Sequence, residues 1–221
     1  MLKFLSAFKN KSIRRFYIEK HLDQNKELLL GNILDVGGKK SEFYFKQINS
    51  EKINSWKFVN NNQNTKPDFL CDASTIPLND NSVDRILCLE LLEYVKDPKK
   101  VISEFYRLLK KDSYLILSCP FNHPVHGDYY IDRARFTSIF LKELLTEAKF
   151  KLISLEPMGS VGAVLYDTLW ANFTYTVKNK KKTIGSYILP CFKFLFHILD
   201  IFYSSRKKYI NTGYFIIAVK K

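Results

Sequence analysis

A short apolar run that ends in an acid and two glycines, Asn32–Gly38, constrains the fold of this chain more than any other segment. The residues Asn-Ile-Leu-Asp-Val-Gly-Gly are typical of a buried strand that ends in a tight turn. Glycine adopts backbone conformations that other residues avoid, and it lets the backbone approach a ligand closely. Because such turns hold nucleotides at the ends of parallel strands, the segment predicts a bound cofactor.

The length and composition favour one ordinary globular domain. A chain of 221 residues can bury a sizeable core, and hydrophobic residues make up 46% of it, with 15% aromatic. An intrinsically disordered chain is excluded, because such chains lack the apolar content that offsets the entropy of ordering. Two full domains are not expected at this length.

Short apolar runs alternate with helix-like segments between residues 32 and 158. This alternation is typical of βαβ units and a mainly parallel sheet. A last apolar run, after a long aromatic segment, predicts a closing strand that is antiparallel to its neighbours. The predicted strands lie near 32–36, 55–59, 68–71, 83–88, 113–119, 151–156 and 213–219. The fold class is therefore α/β, a Rossmann-like, doubly wound three-layer sandwich with a mostly parallel seven-stranded sheet.

Three helices can be placed from their start signals. Asp97 followed by Pro98 predicts a helix to about Leu109, with Asp97 as the N-cap and Pro98 at the first helical position. Thr137 or Ser138 is expected to cap a second helix. A third helix is predicted to start at Pro190 and to run to residue 204.

The domain organisation follows from these patterns. Residues 1–31 are expected to form a basic amphipathic N-terminal extension. Residues 32–158 and 212–221 would form the main α/β domain, and residues 159–211 an aromatic and basic helical insertion before the last strand.

The motifs of residues 32–158 resemble the class I S-adenosylmethionine-dependent methyltransferases, in particular the small "type 11" group. The resemblance is carried by "ILDVGG" and by the run "DFLCDASTIPLNDNSVDRILCLELLEYVKDPKKVISEFYRLLKKDSYLILSCPF". It implies a methyltransferase fold, S-adenosylmethionine as the cofactor and methyl transfer as the activity. In this family the glycine loop contacts the methionine part of the cofactor, and two acids contact the ribose and the adenine.

The resemblance assigns cofactor roles to residues at four predicted strand ends. Gly37 and Gly38 would approach the methionine part, the slot Asn60–Asn62 would meet the ribose, and Asp72 the adenine amine. Asp35 would anchor the glycine loop, while Ala73 and Leu89 would flank the adenine. Structural alternatives stay open, because a glycine pair can simply form a tight turn and an Asp can cap a strand end.

Three residues depart from the family pattern. Lys39 replaces the second glycine, so a long side chain stands where the backbone should approach the cofactor, although its charge could pair with the cofactor carboxylate. Asn60 fills the ribose slot with a neutral amide instead of a carboxylate. Tyr94 stands where the family often has His. These departures keep a second function open, a catalytically inactive methyltransferase-fold protein that binds or assembles with a partner.

The candidate acceptor side follows the fifth predicted strand, where histidines, acids and aromatics share one loop. His126 and Asp132 are the candidate catalytic residues, because a His beside a carboxylate could help to deprotonate a hydroxyl acceptor. Methyl transfer needs no obligatory base, so both histidines of the loop could instead bind its backbone. No metal site is predicted, since His123 and His126 lack a third His or Cys.

The formal net charge of +13 lies mainly outside the predicted core. Residues 32–158 carry 18 basic and 17 acidic side chains, whereas residues 159–212 carry a net charge of +6. The segment 187–208 combines many aromatics with a single polar stripe and basic flanks. It predicts either a peripheral contact with an anionic membrane or a helical cap on this domain or on a second subunit, which would make a homodimer.

Other classes of partner and location are less favoured. A nearly neutral core and a lysine-rich balance speak against nucleic acid, so an RNA methyltransferase is only a third alternative. The widely spaced cysteines predict free thiols, and no signal peptide is evident, so a cytoplasmic protein, peripheral at the membrane if the insertion binds there, is expected. The leading hypothesis is a methyltransferase acting on a small or lipid-linked acceptor, such as a saccharide or an isoprenoid intermediate.

Overall fold

The computed structural model describes residues 12–39, 50–125, 131–175 and 184–221. Within these ranges the chain forms seven strands and five α-helices. The strands are β1 (Gly31–Val36), β2 (Ile53–Asn60), β3 (Phe69–Leu70), β4 (Val83–Leu89), β5 (Leu109–Pro120), β6 (Phe150–Met158) and β7 (Gly213–Lys220). The helices are α1 (Ile13–Gln24), α2 (Pro98–Leu108), α3 (Ser138–Glu147), α4 (Val161–Tyr175) and α5 (Ile184–Phe202).

All seven strands form one sheet in the order β3-β2-β1-β4-β5-β7-β6. The strand β1 pairs in parallel with β2 on one side and with β4 on the other. The pairs β2–β3 and β4–β5 are also parallel. The winding therefore reverses direction between β1 and β4, which is the position where ligands bind in doubly wound sheets. The predicted fold class is confirmed.

The strand β7 runs antiparallel to its neighbours. The start of β7 lies beside the end of β5, where the N–H of Phe121 donates to the carbonyl of Thr212 at 2.9 Å. The far end of β7 lies beside the start of β5, where Lys221 Nζ contacts Asp112 Oδ1 at 2.9 Å. The N–H of Thr212 also donates to the carbonyl of Met158 at the end of β6. These contacts confirm the predicted antiparallel last strand.

The helices α2 and α3 begin where the sequence predicts. The Asp97 side chain accepts a hydrogen bond from the N–H of Lys100, and Pro98 is the first helical residue. Thr137 caps α3 by accepting from the N–H of Phe140. Each cap satisfies a backbone donor that the helix itself leaves unpaired. The apolar stripe of α2 is buried as expected, at Val101, Ile102, Phe105 and Leu108.

The chain forms two compact units, which we call the sheet unit and the helical unit. The sheet unit comprises Leu22–Cys119, Arg133–Glu156 and Phe215–Lys221. The helical unit comprises Met1–His21, Pro120–Asp132 and Pro157–Tyr214. The core of the sheet unit consists of apolar residues on the central strands, which are buried almost without exception in β1, β4 and β5.

The helical unit has a small core of its own between α1, α4 and α5. Ile13, Ala163, Tyr166 and Leu189 are buried there, with aromatic side chains packed around them. The carboxylate of Asp167 accepts hydrogen bonds from the N–H groups of Ile13 (2.6 Å) and Arg14 (2.9 Å) at the first turn of α1. A buried charge thus satisfies the donors that open another helix.

The prediction that the last helix starts at Pro190 is wrong. The helix α5 begins at Ile184 and contains Pro190 in its interior. Proline has no N–H to donate to the preceding turn, so it is a favourable start for a helix but not an obligatory one. Among the described residues, no helix is both long enough and apolar enough to cross a membrane.

Candidate functional site

The carboxyl ends of β1 to β4 lie at one edge of the sheet unit. The registers align Val36 of β1 with Val59 of β2, and Asn60 of β2 with Leu70 of β3. On the other side of β1, Asp35 is aligned with Leu87 of β4. Because these strands are parallel, the residues that follow them meet at the same edge. The predicted cofactor residues are therefore brought together on either side of the reversal in winding.

Gly37 makes the turn that ends β1. Its φ of +88° is a left-handed conformation that other residues adopt at a cost, and its N–H donates to the carbonyl of Val59 at 2.8 Å. A Cβ at this position would lie 3.1 Å from the side chain of Leu91. The glycine is thus required both by its backbone conformation and by the close approach of the turn after β4.

Asp35 lies directly beneath the second glycine. The side chain is 3% exposed, and a Cβ at Gly38 would overlap its carboxylate. Gly38 is required here by close approach to Asp35, and it has no need of a left-handed backbone. This contact supports the predicted role of Asp35 in anchoring the loop.

Asn60 ties the end of β2 to the glycine turn. Its amide nitrogen donates to the carbonyls of Gly37 (3.1 Å) and Gly38 (3.3 Å), and its Oδ1 accepts from the N–H of Asn62 at 2.9 Å. A carboxylate could not donate these bonds, because an ionised acid is only an acceptor. The amide that replaces the family's acid therefore stabilises the glycine turn. Its contact with a ribose stays a prediction.

Asp72 forms a tight turn after β3. Its Oδ1 accepts from the N–H of Ser74 at 2.8 Å and from the Ser74 hydroxyl at 2.6 Å. These bonds lower the pKa of the Asp72 carboxyl, so the side chain is ionised at neutral pH. Among the residues that the structure describes, Oδ2 receives no hydrogen bond. This oxygen can accept a hydrogen bond from a ligand, as the amine of an adenine would require.

A cavity of about 370 Å³ adjoins Asp72 in the sheet unit. Its size lies within the range of small-ligand sites, and its lining mixes apolar, acidic and basic groups. The lining residues are Asp72, Ser74, Val95, Lys96, Asp97, Lys100 and Val101. The edge of the sheet at Asp72 is therefore concave enough to accept part of a cofactor.

Ala73 and Leu89 lie at the same edge. Ala73 is buried in the turn after β3, and Leu89 is the last residue of β4 and is half-buried. The next residue, Glu90, has a φ of +57°, and its Oε1 accepts from the Ser118 hydroxyl at 2.9 Å. This bond links the ends of β4 and β5. The predicted contacts of Ala73 and Leu89 with an adenine stay predictions.

Two residues that depart from the family pattern also lie near this edge. Lys39 is exposed at the end of the described part of the glycine loop. Tyr94 is half-buried in the turn after β4, where its N–H donates to the carbonyl of Leu91 at 3.0 Å. Its neighbour Glu93 is fully buried, and the Glu93 carbonyl accepts from the N–H groups of Arg133 and Ala134. The turn is therefore rigidly held.

The two candidate catalytic residues belong to the segment between β5 and α3. His126 lies outside the described residues. Asp132 is half-buried in the segment before α3 and belongs to the helical unit. Their roles in catalysis stay predictions.

Ser74 and Leu91 are site residues that the sequence reasoning missed. Ser74 fixes the Asp72 carboxylate, and Leu91 packs against the glycine turn. The first could have been found, because a Ser two residues after an Asp is a common turn pattern. The second carries no such signal, since an apolar residue after a strand does not show which turn it will contact.

A model of the methyltransferase domain matches residues 44–117 of this sequence. The match covers a third of the chain. It starts beyond the glycine turn and ends within β5, so it includes Asp72 and Leu89 but leaves out Asp35–Gly38. No curated protein sequence matches the chain.

Solved structures of the same fold include several methyltransferases. An S-adenosylmethionine-dependent methyltransferase from Archaeoglobus fulgidus has a TM-score of 0.58 at 19% identity, over 99% of both chains. The [4+2]-cyclase SpnF has a TM-score of 0.57 at 18% identity, over 91% of this chain and 82% of its own.

A third structure is a phosphoethanolamine N-methyltransferase 2 from Haemonchus contortus, in complex with phosphomonomethylethanolamine and S-adenosylhomocysteine. Its TM-score is 0.55 at 18% identity, over 91% of this chain and 52% of its own. At these identities the likeness shows the fold. The domain match supports the class I S-adenosylmethionine-dependent methyltransferase family, with S-adenosylmethionine as its cofactor, and the solved structures add the shared fold.

Proposed function

With this family supported by both comparisons, we propose that the protein transfers a methyl group from S-adenosylmethionine to a small or lipid-linked acceptor, such as a saccharide or an isoprenoid intermediate. The observation that carries the proposal is the edge where β1 to β4 end. The glycine turn after β1 and the ionised Asp72 after β3 lie there, beside the point between β1 and β4 where the winding reverses. Cofactors bind doubly wound folds at this position.

The residues at this edge fit the cofactor in two respects. A Cβ at Gly37 would crowd Leu91 and one at Gly38 would overlap Asp35, so glycines are required in this turn, and they add no side chain where the methionine part would approach the backbone. Asp72 keeps one carboxylate oxygen available for the amine of the adenine. When bound, S-adenosylmethionine supplies an electrophilic methyl group on its sulfonium.

The protein also has to position the acceptor of the methyl group and to take up the proton that this acceptor loses. Positioning a nucleophile in line with the methyl group can supply most of the rate. We assign proton removal from a hydroxyl acceptor to His126, assisted by Asp132, because imidazole titrates near neutral pH and a carboxylate stabilises its charged form. The product on the enzyme side is S-adenosylhomocysteine, since the bond between sulfur and methyl breaks.

Calorimetric titration with S-adenosylhomocysteine tests the site. We expect saturable binding to the wild-type protein and a large loss of affinity in Asp72→Asn. An asparagine keeps the turn, because its Oδ1 still accepts from Ser74, but its amide can place a donor against the donor of the adenine amine. The matched control is Asp23→Asn, which removes the same charge from an exposed position on α1.

Two outcomes of this titration would overturn the proposal. Absence of binding at millimolar ligand would exclude the cofactor. Equal affinities in wild type and Asp72→Asn would place the cofactor elsewhere. A transfer assay with methyl-labelled S-adenosylmethionine and a lipid-linked or free saccharide acceptor then addresses the acceptor class.

One observation favours a second function: the Asn60 side chain is hydrogen-bonded to the glycine turn. A methyltransferase-fold protein that binds a partner without catalysis would need these hydrogen bonds for its structure and would not need a contact with the ribose. Binding of S-adenosylhomocysteine without transfer to any acceptor tested would favour it. An RNA methyltransferase is a third alternative, and nucleic acid is the less favoured partner because the predicted core is nearly neutral.

We also propose a cytoplasmic protein that acts at the surface of an anionic membrane. A lipid-linked acceptor would be met there, and the basic residues of the insertion would be attracted to anionic lipid. The alternative is a homodimer through the same segment.

A further inference from the structure

The helix α5 buries two charged residues beside Leu189 and exposes most of its large apolar residues. Lys193 and Asp200 are each 2% exposed, whereas Phe194 is 56% exposed and Phe202 is 78% exposed. The outward residues, which we call the α5 apolar face, are Tyr187, Ile188, Phe192, Phe194, Leu195, Leu199, Ile201 and Phe202. This is the reverse of the usual surface helix, in which the apolar stripe faces the core.

Asp200 fixes this orientation by capping the helix α4. Its Oδ1 accepts from the N–H of Ala163 at 2.9 Å and from the hydroxyl of Ser160 at 2.8 Å, and also from the N–H of Ser160. The hydroxyl of Tyr17 donates to Oδ2. These donors open α4 and need an acceptor, and a carboxylate at the N-terminus of a helix is electrostatically favourable. Asp200 is therefore held inward by four hydrogen bonds.

Close packing reinforces this orientation. A Cβ at Gly162 would overlap the carbonyl oxygen of Phe196, so the backbones of α4 and α5 touch at this point. One helical turn before Phe196, the Lys193 ammonium lies 5.3 Å from the centre of the Tyr166 ring, a distance typical of cation–π contacts. The helix α5 therefore cannot rotate to bury its apolar face without breaking the Asp200 cap and this packing.

The exposed charged residues of the segment 184–212 are all positive. Asp200 is the only acid between residues 184 and 212, and it is buried. Beyond the helix, Arg206 and Lys208 are exposed, Lys207 is half-buried, and Tyr209 is 81% exposed. Exposed tyrosines and cations beside an apolar face are typical of segments that lie at the interface between lipid and water.

We propose that the α5 apolar face inserts into the surface of an anionic lipid bilayer, with α5 lying in the plane of the membrane. A helix of 19 residues is about 28 Å long, which is short of a tilted span and well suited to lie flat. A second copy of this chain is disfavoured as the occupant, because residues 159–212 carry a net charge of +6 and a symmetric contact would bring two such segments together. The proposal does not depend on methyl transfer.

Flotation of the full chain with vesicles tests the proposal. Vesicles of phosphatidylcholine alone are compared with vesicles that also contain phosphatidylglycerol. The test variant is Leu195→Ser with Phe202→Ser, since these two residues lie seven positions apart on the α5 apolar face. The control variant is Ile139→Ser with Ile153→Ser, which removes two exposed apolar side chains from the sheet unit. Circular dichroism confirms that each variant is folded.

We expect the wild type and the control to float with the anionic vesicles, and the test variant to lose at least ten-fold in bound fraction. A further variant, Lys207→Gln with Lys208→Gln, should lose the preference for phosphatidylglycerol, because each cation near an anionic surface favours binding. Two results would overturn the proposal: a wild type that floats with neither vesicle, or a test variant that floats as the wild type does.

Self-association is distinguished in the same samples. A wild type that sediments as a dimer, and a Leu195→Ser, Phe202→Ser variant that sediments as a monomer, would assign the α5 apolar face to a second copy and would contradict the membrane proposal. Cofactor binding by the same variants, measured with S-adenosylhomocysteine, should be unchanged, so a failure of membrane binding is separable from a failure of the proposed function.

Discussion

The sheet unit and the helical unit use polar residues in opposite ways. In the sheet unit the strands bury apolar side chains and carry polar groups at the strand ends, as with Asn60 and Asp72. In the helical unit, charged side chains such as Asp167 and Asp200 lie in the interior, and large apolar side chains face outward on α5. The first pattern is that of a ligand-binding edge, and the second is that of a surface in need of an apolar partner.

The difference shows that burial of charge in the helical unit has a structural cause. Both buried carboxylates accept from N–H groups at the start of a helix, Asp167 for α1 and Asp200 for α4. Such donors are left unpaired by the helix itself, and α2 and α3 pair one of them with Asp97 or Thr137 of their own sequence. In α1 the Asp167 carboxylate adds to a local cap, since Ser12 Oγ accepts from the N–H of Arg15 at 3.0 Å. The starts of α1 and α4 are thereby each joined to a side chain of another helix.

The largest expected effect is that of Asp200→Leu. The change leaves the N–H of Ala163 and the hydroxyl of Tyr17 without their acceptor in a buried site, which should lower the free energy of unfolding by about 3–5 kcal/mol. Asp200→Asn keeps one acceptor oxygen and should cost about 1–2 kcal/mol. Urea unfolding measures both.

The two tryptophans allow each unit to be followed separately. Trp56 lies in β2 of the sheet unit and Trp170 in α4 of the helical unit, so Trp56→Phe and Trp170→Phe backgrounds give one probe for each. Asp200→Leu should shift the transition reported by Trp170. If that transition were unchanged, the assignment of Asp200 as the cap of α4 would be wrong.

The next effect is a dependence of stability on pH. Burial raises the pKa of Asp167 to about 6, against 3.8 for an ordinary Asp. A raised pKa means that the folded state binds the proton more tightly, so this contribution is fully present below about pH 4 and is lost as the pH rises through about 6. The change should be about 2–3 kcal/mol.

Asp167→Asn should remove this contribution, because an amide does not titrate. The measurement is the difference between wild type and Asp167→Asn in free energy of unfolding, followed by Trp170 fluorescence from pH 4 to pH 7. Taking the difference cancels the carboxyls of the sheet unit, such as Glu104, whose lowered pKa gives the opposite slope. A difference that is constant over this range would contradict the buried, partly protonated state of Asp167.

A smaller effect on stability is expected from Asn60→Asp. Whether the affinity for S-adenosylhomocysteine falls or rises shows which role Asn60 has. The new carboxylate would lose two donated hydrogen bonds and face the carbonyls of Gly37 and Gly38, which should cost about 1–3 kcal/mol in stability. The affinity for S-adenosylhomocysteine should fall with it. Asn62→Asp is the control, since its side chain only accepts, from the N–H of Asn64. A gain in affinity for Asn60→Asp would show that Asn60 is a weakened ribose ligand.

The smallest effect should come from the α5 apolar face. Phe202→Ser should change the free energy of unfolding by less than about 0.5 kcal/mol, because the side chain is exposed before and after the change. Urea unfolding checks this in the absence of lipid. A loss of 2 kcal/mol or more, on the scale of about 3–5 kcal/mol for a buried Phe, would mean that the residue packs in solution.

The sequence predicted the sheet well because its signals are local. Apolar runs and start signals such as Asp97-Pro98 are each complete within a few residues, and the strands and helices they predict are present. The strand-end positions of Gly37, Asn60 and Asp72 followed from parallel pairing. The partners of Asn60 could not be predicted, because they lie in a loop 22 residues away whose carbonyls give no signal in the sequence.

The orientation of α5 could not be predicted from the sequence, for a different reason. The polar stripe of Lys193, His197 and Asp200 is visible in the sequence, but its period does not say whether the stripe faces water or protein. Its direction depends on Ser160 and Ala163, about 40 residues away, and on Tyr17, near the other end of the chain. Only the folded arrangement shows that these donors need the acid.

We propose that the edge formed by the ends of β1, β2 and β3 holds S-adenosylmethionine. Hydrogen–deuterium exchange with and without S-adenosylhomocysteine tests it most directly, because it locates the bound ligand. We expect slower exchange at the amides of 36–39, 60–62 and 72–75, with the amides of α5 unaffected. Unchanged exchange at all three turns under saturating ligand, or protection confined to the helical unit, would contradict the claim.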